Sequence, residues 1–476
     1  MDSPAAAQGG PAMTATPSAK RIAIVGGGLA GLAAAVALGR RGFAIDLFES
    51  RPRLGGRAGS FRDPVSGESI DFCQHVAMGC CTAWADFCRE TGIADGFERR
   101  RRLHFLDEDG QRHDFAGSRW LPAPLHLLPG LLGLGYLRLH DRISIARAML
   151  QLAQTPLPAS QTGDGADLND ASHLDDAPAG RWLRDHGQSP QAIERFWSVV
   201  LASALSDEVD RVSLAAVRKV FCDGFMARRN AYELEIPRTP LGEVYDRRLG
   251  AWLTGHGVNV RLATRVAKLE GDAARIDAAV LANGTRRAFD GFIVAVPWNK
   301  VRTVVSDAGV AIPGLANVAQ FRAAPITAVH LWFDRPITPL PHAVLVGRMS
   351  PWFFSHGPVQ PADGAPPAWR YQVVVSASFA LQGRPRDETL AAVREHVSAV
   401  FPDARTARLV RWRVVNQPKA VFSMAPGVER LRPSQATPIA NLALAGDWTK
   451  TGWPATMEGA VRSGNLAAEI LIRALG

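Results

Sequence analysis

An α/β fold is predicted, with a parallel nucleotide-binding sheet whose chain is interrupted by an α+β insertion. Three observations predict it: a glycine-rich strand-to-helix turn near residue 26, a second glycine-rich crossing into a helix near residue 446, and apolar/polar alternation in stretches between them. The first turn is IAIVGGGLAG (22–31), an apolar strand running into Gly26-x-Gly28-x-x-Gly31 and then the helix LAAAVALGRRG. Gly26 permits the tight turn, Gly28 lets backbone approach a pyrophosphate, and Gly31 lets helix and strand pack closely. The helix N-terminus then meets the negative charge. The next strand, FAIDLFE, ends in Glu49, suited to accept hydrogen bonds from an adenosine ribose.

Glu49 is followed by SRPRLGGRAGSF, and this Glu-x(3)-Arg-Leu-Gly-Gly-Arg arrangement resembles the signature of the FAD-containing amine oxidase and carotenoid desaturase superfamily. The resemblance implies a Rossmann-like FAD-binding domain of the glutathione-reductase type, carrying an inserted α+β substrate domain with a mixed or antiparallel sheet. It assigns Arg53 and Arg57 to the phosphates or ribityl chain, and Gly55 and Gly56 to close backbone passage. Leu29, Ala30, Ser50, Arg51 and Leu54 fall in the same contact set. Residues 441–464, NLALAGDWTKTGWPATMEGAVRSG, read as a strand, a crossing and a helix beginning near Thr456. By the same resemblance Gly446, Asp447, Pro454, Ala455, Thr456 and Met457 return to the flavin. A helix N-terminus there stabilises negative charge on the reduced ring.

The middle of the chain is read as alternating between the two domains. LGEVYDRRLGAWLTGHGVNVRLATRVAKLEG (241–271) reads helix then strand, and AFDGFIVAVPWNKV closes a strand on Pro297 and Trp298. This pairing also resembles the superfamily, which makes Val266 an adenine-side backbone contact. The boundaries expected are a leader at 1–19, FAD-binding pieces at 20–95, 241–300 and 436–476, and substrate-domain pieces at 96–240 and 301–435. Within the last of these, AAPITAVHLWFD, RYQVVVSASFA and RLVRWRVVNQPKAVFS alternate as strands of an antiparallel sheet, with a helix over 386–400. ISIARAMLQLAQ has helical periodicity, 155–180 reads as a polar loop, and helices follow from near 180 and from 190.

The chain has 476 residues, 47% of them hydrophobic, enough for two domains with buried cores. Its leader lacks the basic and apolar regions of a signal peptide. Five cysteines without metal-ligand spacing fit small buried hydrophobes in a reducing cytoplasm, and no metal is expected. The formal charge of +9 is spread over arginines, densest in ERRRRLHF (98–105). No nucleic-acid reader module accompanies it; anionic lipid, a diphosphate-bearing pathway partner or a plain solvated surface account for it equally. The run WLPAPLHLLPGLLGLGYLRL (120–139) is broken by prolines and is read as a monotopic patch, a tunnel mouth or a core wall, not a spanning helix.

QHVAMGCCTAWADFCRETGI (74–93), NQPKAVF (416–422) and the WPATMEGAVRSG finish resemble the bacterial hydroxysqualene dehydroxylases, the squalene-associated FAD-dependent desaturases. That resemblance implies reductive removal of an allylic hydroxyl in squalene and hopanoid biosynthesis. It further implies an isoprenoid lipid substrate, an external electron donor, contact with squalene-pathway prenyltransferases, and peripheral attachment to the inner face of the cell membrane. Loss of water would leave a delocalised cation in need of dry walls and an acid. His75, Asp71 and Lys419 are the candidates, although His75 reads more readily as a packed imidazole bonded to a backbone carbonyl and Asp71 as a residue that orients its loop. The alternatives are a carotenoid or other isoprenoid desaturase, a flavin amine oxidase whose aromatic cage would use Trp448 and Trp453, and a non-redox prenyl-lipid binder.

Overall fold

The computed structural model describes residues 20–155, 174–305, 312–347, 349, 351–360 and 366–476. The leader at 1–19 and most of the polar loop read at 155–180 lie outside the described residues. A five-stranded parallel sheet has the spatial order Val258–Arg261, Ala44–Phe48, Arg21–Val25, Gly291–Val294, Leu442–Leu444. Segments from three distant parts of the chain therefore share one sheet, as the discontinuous reading required.

Period-two alternation divides the faces of this sheet. Ile22, Ile24 and Leu47 join a core with the helices Leu29–Gly39 and Met457–Leu475. Those two helices approach so closely that a Cβ on Gly464 would stand 2.2 Å from the Ala30 carbonyl oxygen. Ala23, Val25 and Phe48 face the other way, into the core shared with the antiparallel strands Val266–Gly271, Ile276–Leu281 and Arg286–Ala288.

The inserted domain is built on a seven-stranded sheet. Its order is Leu409–Phe422, Ala323–Phe333, Ala368–Ser376, Trp352–Val359, His342–Leu345, Leu103–Leu106, Arg112–Phe115. The three strands read from alternation are the first three, paired antiparallel with Val329 opposite both Val373 and Val414. His342–Leu345 runs parallel to Leu103–Leu106, so the sheet is mixed. Val373 and Val329 pack beneath the helix Arg386–Val400, whereas Val374, Ala328 and Phe354 pack on the opposite face with Cys73.

The basic stretch 98–105 lies in Phe97–Arg100 and Leu103–Leu106. Its arginines are matched to carboxylates: Arg99 to Glu235, Arg100 to Glu98, Arg101 to Glu233 and Arg102 to Asp114. The run 120–139 folds into short turns and the helix Leu128–Leu132, followed by the helix Leu139–Gln154. Among the described residues no helix is long and apolar enough to cross a membrane.

Candidate active site

The glycine turn is held by backbone. Gly26 N–H donates to the Phe48 carbonyl at 2.8 Å, and Gly26 sits at φ +115°, where an L side chain is strained and its Cβ would meet the Ala295 carbonyl oxygen at 2.5 Å. Gly31 has no room either, since a Cβ there would lie 1.9 Å from the Gly26 carbonyl oxygen. Gly28 differs: a Cβ on it would meet nothing within 4 Å, because it faces open cavity. The helix Leu29–Gly39 that follows has neither a capping side chain nor an acid in its first turn. Its leading amides are left for an external anion.

The second glycine pair lies against the first. Gly55 N–H donates to the Gly27 carbonyl at 2.9 Å, and a Cβ on Gly56 would stand 3.0 Å from the Gly28 Cα. Glu49 is buried, and its carboxylate accepts from Gly27 N at 2.8 Å, Arg51 N at 2.8 Å and Ser50 Oγ at 3.1 Å. Glu49, Ser50 and Arg51 line the cavity together with Val266.

Two residues assigned to the cofactor are directed elsewhere. Leu54 is buried in the core beneath the turn, its N–H bound to Asp246 Oδ1 at 2.9 Å, and it does not line the cavity. Arg53 stacks its guanidinium over the Phe72 ring at 4.8 Å. An apolar residue filling the space beside Gly27, and an arginine offered an aromatic face, explain both departures.

Arg57 carries the connection to the far motif. It donates to Asp447 Oδ1 at 2.6 Å and to the Ala420 carbonyl at 2.8 Å, so the first motif, the last motif and the strand Leu409–Phe422 meet at one guanidinium. Gly446, Asp447, Pro454, Ala455, Thr456 and Met457 all line the cavity. Thr456 caps the helix Met457–Leu475 by accepting from Gly459 N at 3.2 Å.

Sequence reading missed the groups that hold this crossing in place. The Arg432 guanidinium, buried over the Phe422 ring, donates to the carbonyls of Asp447 at 3.0 Å, Thr449 at 2.5 Å and Trp453 at 2.8 Å. Glu458, fully buried, accepts from Ala83 N at 3.1 Å and Trp84 N at 2.8 Å, capping the helix Thr82–Glu90 in trans. Those partners are backbone atoms, which leave no mark in a sequence; the side-chain pairs Arg432–Glu429 at 2.7 Å and Arg462–Glu458 at 2.6 Å are local to one turn and do not betray the crossing. Lys219 lines the cavity too, paired with Asp223 at 2.7 Å and lying over the Trp453 ring. Its i,i+4 acid was the one signal available.

The three catalytic candidates part company. His75 lines the cavity; its Nδ1 donates to the Cys73 carbonyl at 2.9 Å, which leaves Nε2 as the basic atom. Burial lowers its pKa, opposed by that hydrogen bond and assisted by the Arg57 charge, so the imidazole is neutral near pH 7. Lys419 lines the cavity from an exposed position on Leu409–Phe422. Asp71 does not line it. Its Oδ1 accepts from Ser60 Oγ at 2.5 Å and Leu241 N at 2.9 Å, and burial pushes its pKa up to about 6 against those two bonds. It anchors the Ser60–Arg62 and Ser69–Asp71 hairpin rather than meeting a substrate. Cys73 lines the cavity with its thiol pushed up to about 12 by burial, a small hydrophobe as read. Trp448 is fully buried, its indole N–H bound to the Val296 carbonyl at 2.9 Å.

One cavity of about 1280 Å³ connects these parts, running from the glycine cradle past Arg57 and His75 to the helices at 124–153 and 196–226. An ordinary small-molecule pocket holds roughly 300–1,000 Å³, so this one has room for a dinucleotide and a second occupant. Residues 29–472 match the family of flavin-containing amine oxidoreductases. The chain belongs to that family. Its cofactor is FAD, which fits the open Gly28 cradle, the uncapped helix N-terminus and the Arg57–Asp447 pair. A zeta-carotene desaturase of Synechocystis sp. is 24% identical over 95% of this chain and 97% of its own. A hydroxysqualene dehydroxylase of Rhodopseudomonas palustris is 27% identical over 96% of this chain and 99% of its own. Among solved structures, a putrescine oxidase bound to putrescine superposes with a TM-score of 0.70 at 15% identity, over 95% of this chain and 99% of that one. The chain is an FAD-dependent oxidoreductase of this superfamily.

Proposed function

We propose that this flavoenzyme acts on a long-chain isoprenoid hydrocarbon and that its reaction is a desaturation. The observation that carries the reading is the cavity: beyond the cofactor cradle its wall is made of Leu127, Leu131, Leu134, Phe196, Val199 and Phe221, with few polar groups between them. Such a wall excludes water and offers a polyene contact over its whole length. The names of the two relatives, a carotenoid desaturase and a hydroxysqualene dehydroxylase, agree with a substrate of that class.

Desaturation removes a hydride and a proton from adjacent carbons, and bound FAD is the hydride acceptor. His75 is the group we assign to the proton. A neutral imidazole whose Nδ1 is committed to a carbonyl accepts at Nε2, and burial opposes its standing as an acid. Arg57 and Asp447 would hold the polar chain of the cofactor, and the N-terminus of Met457–Leu475 would supply the positive end of its dipole to negative charge on the reduced flavin.

A second reading, reductive dehydroxylation of hydroxysqualene, is favoured by Lys419. Its ammonium on the cavity wall is a donor that could assist departure of a hydroxyl, and the reaction would draw electrons from an external donor. Anaerobic mixing separates the two. Oxidised enzyme with phytoene or zeta-carotene should bleach the flavin and yield a product two hydrogens lighter by mass spectrometry. If the oxidised enzyme is inert and the reduced enzyme instead converts hydroxysqualene to squalene with flavin reoxidation, the dehydroxylase reading replaces it.

A further inference from the structure

Cys80 and Cys81 are neighbours in the chain, carry free thiols and both line the cavity. Backbone fixes them there. Gly79 N–H donates to the Glu233 carbonyl at 2.9 Å, Cys80 N–H to the Ala231 carbonyl at 3.1 Å and Cys81 N–H to the Met78 carbonyl at 2.8 Å. Gly79 has no room for a side chain, since a Cβ on it would stand 1.8 Å from the Asn230 carbonyl oxygen. The turn is pinned by its main chain, and the two thiols hydrogen-bond to one another.

The pair differs from the remaining cysteines. Burial raises the thiols of Cys73, Cys88 and Cys222, the first to about 12 and the last to about 11, and holds them protonated. Between Cys80 and Cys81 the mutual bond divides the roles instead. The Cys81 thiol donates to the Cys80 sulfur, which lowers the Cys80 pKa against burial and the Glu458 charge, with Arg228 assisting. The same bond, with burial, keeps Cys81 protonated well above an ordinary thiol. A thiolate is the nucleophilic form, so Cys80 is the attacking sulfur and Cys81 its proton-bearing neighbour.

We propose that Cys80 and Cys81 are a peroxide-reactive dithiol on the cavity wall, oxidised to a disulfide between chain neighbours. Hydrogen peroxide, which a reduced flavin makes from dioxygen, is the oxidant. Cys80 attacks one peroxide oxygen; a sulfur–oxygen bond forms as the oxygen–oxygen bond breaks, and the departing hydroxide takes up a proton. Cys81 then attacks the Cys80 sulfenic acid, closing the sulfur–sulfur bond, and the sulfenic hydroxyl leaves with the Cys81 proton as water. The two sulfurs together give up one electron pair, and the peroxide becomes two waters. Neighbouring Cα atoms lie about 3.8 Å apart, closer than the roughly 4.4–6.8 Å that disulfides prefer. Such a bridge is readily reduced, so cellular thiols reset it. The modification is made at a support of the cofactor crossing: Cys81 is the N-cap of Thr82–Glu90, whose first amides are bonded by Glu458 of Met457–Leu475. The inference rests on neither isoprenoid reaction.

The test treats the FAD-loaded full chain with hydrogen peroxide, quenches with catalase, and reads each cysteine by alkylation and peptide mass spectrometry. Cys80 and Cys81 should lose alkylation together, in a peptide two hydrogens lighter that dithiothreitol restores, while Cys73, Cys88 and Cys222 stay thiols. Cys81→Ser keeps a hydroxyl donor to Cys80 and should stop at the sulfenic acid, captured on Cys80 by dimedone. Cys80→Ser should slow oxidation of Cys81 by about tenfold or more, because the remaining thiol is protonated near pH 7. Flavin content and thermal melting check the folding of both variants. The proposal is overturned if peroxide leaves Cys80 and Cys81 alkylatable in the native protein, if another cysteine oxidises first, or if the bridge joins two molecules. Dimedone capture on Cys81 in Cys80→Ser, with none on Cys80 in Cys81→Ser, overturns it equally.

Discussion

The two walls of the cavity are made by different means. The cofactor wall is mostly backbone: Gly26, Gly28, Gly55 and Gly56 bring main chain together, and its few charges, Glu49, Arg57 and Asp447, are committed to named partners. The substrate wall is mostly side chain, supplied by strands and helices far apart in sequence. A backbone wall fixes one ligand's geometry and tolerates almost no substitution. An apolar side-chain wall fixes polarity and length, and tolerates exchange of one hydrophobe for another.

The comparison can be broken most severely at Arg432, which serves the cofactor wall through three backbone carbonyls. Arg432→Leu strands those acceptors and should cost about 3–5 kcal/mol in urea unfolding, with loss of bound FAD. An equally deep apolar change on the substrate wall, Leu131→Met, should cost less than about 1.5 kcal/mol and leave flavin content unchanged.

Within the cofactor wall two glycines should fail in opposite ways. Gly31→Ala forces a Cβ into the Gly26 carbonyl and should destabilise even the apoprotein by about 1–3 kcal/mol. Gly28→Ala adds its methyl to open cavity, so apoprotein stability should hold while the Kd for FAD rises by about a hundredfold, roughly 2.7 kcal/mol. Equal thermal shifts for the two apoproteins would show that Gly28 is structural after all.

A change of comparable size, read through pH, lies outside the cavity at Asp71. Its pKa is raised from an ordinary 3.8 to about 6, so the protonated form is favoured by folding. Its contribution is present in full below about pH 4 and is lost as pH rises through about 6, a swing of up to about 3 kcal/mol. Asp71→Asn keeps an acceptor for Ser60 and Leu241. The native protein should therefore lose stability relative to the variant between pH 4 and 7 in thermal melts, and parallel curves would deny the shift.

The same contrast explains how much was legible in the sequence. The cofactor turn, Glu49 and Arg57 lie within forty residues, and their chemistry follows from residue type and spacing, so they could be read. The far motif could be read too, because Gly446 and the cap at Thr456 leave local signs. The sheet came through at Ala323–Phe333, Ala368–Ser376 and Leu409–Phe422, where alternation is long enough to see. His342–Leu345 and Leu103–Leu106 are four-residue strands buried on both faces, and a run of arginines masked the second. Asp71 reads chiefly as a residue that orients its loop, and it bonds Ser60 and Leu241 outside the cavity lining; only chain proximity to His75, which says nothing about side-chain direction, makes it a catalytic candidate as well. Arg432 and Glu458 were invisible because tertiary folding alone delivers the backbone groups they bind.

The parallel sheet carries one more consequence, for when the protein acquires its flavin. Arg21–Val25 pairs with Gly291–Val294, which pairs with Leu442–Leu444, and Arg57 waits for Asp447. With a ribosome adding about 5–20 residues per second, the amino-terminal glycine turn is outside for tens of seconds before those partners exist. Capture of FAD thus waits for the last of these segments to be made rather than accompanying the first.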